Sequence, residues 1–164
     1  MNQRYAAIQL LRQHGIEGED IYLVDLIPLI KMVWADQQAQ PCELLVLEKF
    51  LIQHVHHINT VAGYPLMSYE RAMAFVNRFL AANPTDELLN ELTALVHPIR
   101  LSSSSDHLNQ ELRQTILYRC MDIASVCSAH RGCETQCALH GFFDHTEKKC
   151  FFEIMELLEE PIEG

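Results

Sequence analysis

Apolar residues recur every three or four positions along most of this chain, the spacing of helices with one buried face. Tyr5, Ala7, Ile8 and Leu11 predict a helix over 2–14, stopped by Gly15. Residues 16–19 form a short acidic connector, and Asp20 is placed to cap a helix over 21–36. Pro28 lies inside that run and is expected to kink it. The next helix spans 41–61, opens with Pro41 in its first turn and ends at Gly63. Residues 64–67 read as a turn. Ser68 caps a helix over 69–81 with Ala72, Phe75, Val76 and Phe79 on one face.

Asn83 is the expected cap of the following helix, with Pro84 at its first position and Asp86 and Glu87 near the positive end of its dipole. That helix carries Leu88, Leu92, Leu95 and Val96 and stops near His97-Pro98. Leu101 and the four serines after it are a low-complexity loop. Ser104 or Ser105 then caps a long helix through Leu108, Leu112, Ile116, Leu117, Met121, Ile123 and Val126 to about residue 129, before the break at Gly132. A short helix over 134–142 follows. Asp144, with Glu147 three residues on, has capping-box form and opens a last helix to about residue 160. Phe151, Ile154, Met155 and Leu158 are its inward positions. No alternating strand pattern extends beyond a few residues. The expected fold is all-α, a compact bundle of about seven or eight helices in one domain over 1–164.

Composition narrows the function. The 164 residues are 49% hydrophobic, enough for a sizeable core. A net charge of −10 argues against a nucleic-acid partner, whose affinity rests on Lys and Arg, and fits cations or a basic protein partner. The apolar run over 21–35 is interrupted by Asp25, Pro28 and Lys31, too short and too charged for a membrane span. The polar start shows no secretory signal, so the six cysteines are expected as reduced thiols of a cytoplasmic protein.

Three clusters carry candidate chemistry. Asp36 and Glu43 flank the turn between two apolar helices, where carboxylate oxygens can hold a divalent cation. Glu43 also has a local reading, because a carboxylate in a helix's first turn is favourable without metal, whereas Asp36 sits near a helix C-terminus, where a negative charge is unfavourable unless paired. His54 and His57 lie three positions apart and can share a helix face, half of a transition-metal site that His97, His107 or Glu70 would complete; His56 points elsewhere. Cys127, His130, Cys133, Cys137 and His140 have helical spacing but not the paired spacing of a structural zinc site, and buried thiols are the simpler reading. There is no glycine-rich phosphate loop, nucleophile elbow or His-Glu-x-x-His sequence. Cys120 or Cys127 with a nearby histidine is a candidate nucleophile pair, which nothing local supports.

A faint internal repeat links the halves. Gln40-Pro41-Cys42-Glu43 followed by Val46, Leu47, Phe50 and Leu51 aligns with Asp144-His145-Thr146-Glu147 followed by Cys150, Phe151, Ile154 and Met155. The units would span about 20–63 and 108–160. Two amphipathic helices with acidic starts also look alike by chance.

The segment Leu26-Ile27-Pro28-Leu29-Ile30-Lys31-Met32-Val33-Trp34-Ala35-Asp36, with Gln40-Pro41-Cys42-Glu43 and Leu47-Glu48-Lys49-Phe50-Leu51, resembles the TerB family of tellurite-resistance-associated proteins. That family has an Ala-Asp-Gly turn and an acid seven residues after the Asp. Asp36 matches the first acid and Glu43 the second; Glu147 matches the later acid of a diverged second copy. The resemblance covers about thirty residues. It implies an all-helical fold of pseudo-repeated hairpins, a non-enzymatic cytoplasmic role in stress response, and a metal cation at the acidic turn. Gln37 stands where the family has Gly, and Arg131 where the second copy would have Asp, which argues against a symmetric two-centre site. The alternatives are a metal- or thiol-dependent enzyme using the His and Cys clusters, and a purely structural protein-interaction module. A protein partner is expected, and the oligomeric state is open.

Overall fold

The computed structural model describes residues 2–130 and 145–159, the side chains of 127–130 excepted. Every regular element among them is helical. Helix α1, Gln3–Gln13, is capped by Asn2, whose side chain accepts from the Arg4 N–H at 3.0 Å. Its end is a Schellman motif: Gly15 at φ +76° donates to the Arg12 carbonyl, and Ile16 to that of Leu11. Leu11 and Ile16 are both fully buried, which supplies the apolar contact of that motif.

The single helix expected over 21–36 is two elements. A 3-10 segment, Gly18–Leu26, leads into α2, Ile27–Val33, with Pro28 in its first turn. The cause is the proline: it has no N–H to give an i→i−4 bond, so it opens a helix instead of bending one. Asp20 is not a cap, since its carboxylate receives Arg71 Nε at 2.7 Å. The helix ends earlier than the pattern suggests, at Val33. Trp34 is its C-cap and donates its indole N–H to the Phe79 carbonyl at 3.3 Å.

All seven residues of α2 are buried, Lys31 included. The 3-10 segment, α3, α4, α5, α7 and α8 all pack on it. Helix α3, Pro41–Ala62, buries Leu47, Phe50, Leu51, His54, Val55 and Ile58, one continuous stripe, and ends at Gly63 with φ +79°. Helix α4, Tyr69–Ala81, starts from Ser68, whose Oγ accepts from the Arg71 N–H at 3.1 Å.

Helix α5, Asp86–Ala94, is capped by Thr85 and not by Asn83. Asn83 precedes a proline and takes φ +42°, whereas a cap needs the extended backbone that Thr85 has. A further short helix, α6, Val96–Arg100, takes Pro98 into its first turn, so the chain does not stop at His97-Pro98. Helix α7, Asp106–His130, starts from Ser105. Helix α8, His145–Leu158, follows. The helix expected over 134–142, the cap Asp144 and the connector with Arg131 and Gly132 lie outside the described residues.

The turn after α2 holds a left-handed residue, Gln37 at φ +67°, where a side chain is strained. Gln37 is exposed. Gln37→Gly is expected to stabilise the fold by about 0.5–1 kcal/mol, because the strain removed exceeds the extra chain entropy that glycine loses. A higher urea midpoint with an unchanged slope would show it.

Candidate functional site

The acidic turn is well ordered by its own hydrogen bonds. Asp36 Oδ1 accepts from the Gln38 N–H at 3.1 Å, and Asp36 Oδ2 accepts from Gln40 Nε2 at 3.4 Å. Glu43 is buried at the third position of α3 and accepts from the Gln40 N–H at 3.2 Å, while the Gln40 side chain accepts from the Glu43 N–H. This is a capping box with glutamine in the cap position. Asp36 and Glu43 thus share a neighbourhood through Gln40, and both take part in holding the turn. Asp36 also lines a cavity of about 340 Å³ with Lys31, Asp86, Lys149 and Glu153. Lys31 Nζ lies 3.1 Å from Glu153 Oε2. Thr146 of α8 lines the same cavity, and its neighbour Glu147 is buried. Among the described residues, no three His, Cys, Asp or Glu side chains converge as a metal cage.

The opposite end of the buried run carries a second constellation. Asp25, 2% exposed, closes the 3-10 segment just before α2. Arg100, at the end of α6, donates its Nε–H to both Asp25 oxygens at 3.0 and 3.2 Å. His54 of α3 sits with Nε2 3.8 Å from Asp25 Oδ2 and 2.7 Å from the Tyr22 carbonyl. A carbonyl only accepts, so Nε2 carries the proton. Burial holds the His54 pKa below its ordinary value; Asp25 and the Tyr22 carbonyl oppose this, and Arg100 and Arg119 add to it. Arg119 of α7 lies over the Phe50 ring, 5.2 Å from its centroid. Burial lowers its pKa and Asp25 opposes that, and a guanidinium remains charged.

These groups form the floor of a pocket of about 690 Å³. His57 lines it as well, so the pair expected on one helix face does meet one cavity, His54 at its base and His57 exposed. His56 is exposed and is not part of the lining; neither are His97, His107 or Glu70. Asp25, Arg100 and Arg119 were invisible to motif reading because they are 75 and 19 residues apart in sequence. One signal was present: a lone Asp inside an apolar run must find a partner if the run is buried.

The thiol-nucleophile reading fails at Cys120. Its side chain is fully buried, and burial drives its pKa far up, which leaves an inert neutral thiol. Cys150, whose Sγ lies 3.6 Å from the Lys31 carbonyl, is pushed up to about 12 by burial, with Lys31 opposing. The side chains of Cys127 and His130, and the residues Cys133, Cys137 and His140, lie outside the described set.

Two outcomes follow from the Asp25 cluster. Arg100→Met is expected to destabilise by about 3 kcal/mol, because it strands a buried carboxylate. Asp25→Asn should lose less, about 1 kcal/mol, since Arg100 is a quarter exposed and reaches water. Chemical denaturation of both variants would rank them. His54 adds a pH dependence. With its folded pKa below the ordinary 6.5, its contribution is present above pH 6.5 and is lost as pH falls through the folded value. Thermal midpoints between pH 7.5 and about pH 5 should therefore fall less steeply in His54→Gln than in wild type.

Compared with known proteins, the chain matches no family model, no curated protein and no solved structure.

Proposed function

We propose that this chain is a non-enzymatic, TerB-like binding module whose ligand site is the pocket floored by Asp25, His54, Arg100 and Arg119. One observation carries the reading: a buried, hydrogen-bonded charge cluster lies at the base of a cavity of about 690 Å³. That volume suits a small molecule, and polar groups fixed at the base of a partly apolar cavity give orientation and selectivity. The inert thiols of Cys120 and Cys150 favour binding over thiol catalysis. The TerB resemblance adds a cytoplasmic, stress-linked setting and a protein partner, which the acidic surface would meet through basic groups.

A second reading keeps the divalent cation at Asp36. The observation in its favour is that Asp36, Asp86 and Glu153 line one cavity; Lys31 and Lys149 in the same wall weigh against it. Among the described residues no helix is long and apolar enough to cross a membrane.

Amide spectra of labelled protein separate the two. Titration with a mixed set of neutral, acidic and basic small molecules should move the amides of His54, Leu112, Thr115 and Arg119, and Thr115→Trp, which fills the mouth, should abolish those shifts. Titration with Mg²⁺, Ca²⁺ or Zn²⁺ should move residues 36–43 only if the second reading holds, and Asp36→Ala with Glu43→Ala should then remove the effect. Absence of any shift around the pocket overturns the first reading.

A further inference from the structure

The chemistry of the pocket floor identifies a class of ligand. Resting on the pocket reading above, we infer that the site takes a small organic acid, its carboxylate or phosphate head held by Arg119 and Arg100 and its body lying on Leu108, Leu112 and Tyr118. The lining brings two guanidiniums and one deep carboxylate together. Arg100 uses Nε on Asp25, which leaves its remaining N–H donors without a hydrogen-bond acceptor among the described residues. Arg119 makes no hydrogen bond to a described residue at all; its contacts there are the Phe50 ring and the longer-range attraction of Asp25.

A partly buried guanidinium whose remaining donors have no protein acceptor relies on water for them, and a charged acceptor bonds it more strongly than water does. The acceptor that matches its planar fork is an oxyanion, which takes two parallel N–H bonds at once. At the base a cation would meet two guanidiniums and one carboxylate that Arg100 already pairs. A neutral molecule could accept hydrogen bonds but would leave the guanidinium charge uncompensated.

Every other titratable group of the lining fits this assignment. His54 donates Nε2–H to the Tyr22 carbonyl and faces Asp25. His57 and Tyr118 are exposed at the mouth and offer polar contacts. Glu111 also lines the cavity, but it is exposed and lies 3.8 Å from His107. Its carboxylate at the mouth disfavours a second anionic group there, so the body of the ligand is neutral. The cavity is far larger than an inorganic ion needs, and Leu108 and Tyr118 are exposed apolar surface beside it.

The test uses the full chain and four probes: inorganic phosphate, benzoate, phenyl phosphate and neutral benzyl alcohol, followed by amide shifts and calorimetry. Benzoate or phenyl phosphate should bind at the pocket more tightly than inorganic phosphate, and whichever is tighter identifies the head group. Arg119→Gln should weaken that binding at least tenfold. Arg119→Lys, which keeps charge but not the fork, should fall between the two. Arg12→Gln, an exposed arginine on α1, should leave binding unchanged. Affinity should decrease as salt rises. Binding that survives Arg119→Gln and Arg119→Lys undiminished overturns the acid assignment. So does benzyl alcohol binding as tightly as the acids, a result under which the pocket reading itself stands. If no probe, charged or neutral, moves the pocket amides, the pocket reading falls with it.

Discussion

The burial of α2 on every side is the constraint from which the rest of the structure follows. A helix of seven residues contributes few backbone hydrogen bonds and is not stable alone in water. It persists because Ile27, Leu29, Ile30, Met32 and Val33 are removed from solvent by five other helices and the 3-10 segment. That burial creates two electrostatic obligations. Asp25, just before the helix, and Lys31, within it, are carried into the interior with the apolar residues. Each must be paired, and each partner comes from far along the chain: Arg100 for Asp25, Glu153 for Lys31. The helices that supply these partners, α6 and α8, are thereby fixed relative to the core.

The elements most legible in the sequence were those governed by local chemistry. Ser68, Ser105, Gly15 and Gly63 are where the pattern put them, because caps and left-handed stops depend on a residue and its immediate neighbours. Pro28 and Pro98 were harder. A proline in an apolar run is compatible with a kink, a stop or a start, and the choice depends on whether tertiary packing favours a new helix there. The stretch over 21–36 reads as a single helix because the end of the 3-10 segment and α2 are buried alike, and burial erases the polar face by which periodicity is read.

The two sites differ in legibility for the same reason. Asp36 and Glu43 are close in sequence, and the structure joins them through Gln40. Gln37 shows what motif matching can miss and physics can supply. Its position in the turn demands a left-handed backbone whether or not glycine stands there, and the chain accepts φ +67° with a longer side chain pointed to solvent. The Asp25 cluster is assembled from the 3-10 segment, α3, α6 and α7, so no window of sequence contains it. Only its least conspicuous member, an acid among leucines and isoleucines, could have announced it.

A carboxylate at the floor of a pocket inferred to take acids needs a physical account, and the geometry supplies it. Two guanidiniums lining one cavity repel each other, the more so the less water lies between them. Asp25 offsets it. Both of its oxygens accept from the Arg100 Nε–H, and His54 lies close by, so its charge is largely taken up by groups of the floor itself. Arg119 feels Asp25 as a longer-range attraction and is held against Phe50 as a platform. The carboxylate therefore lets two like charges share a floor while leaving their outer donors open. The acidic balance of the whole chain changes this little. Acids such as Glu19 and Asp20 are held by Arg71 at 2.6 and 2.7 Å, and exposed charges beyond about 8 Å are screened at physiological salt. The sign that a small ligand meets is set by what lines the pocket, and at its base that sign is positive.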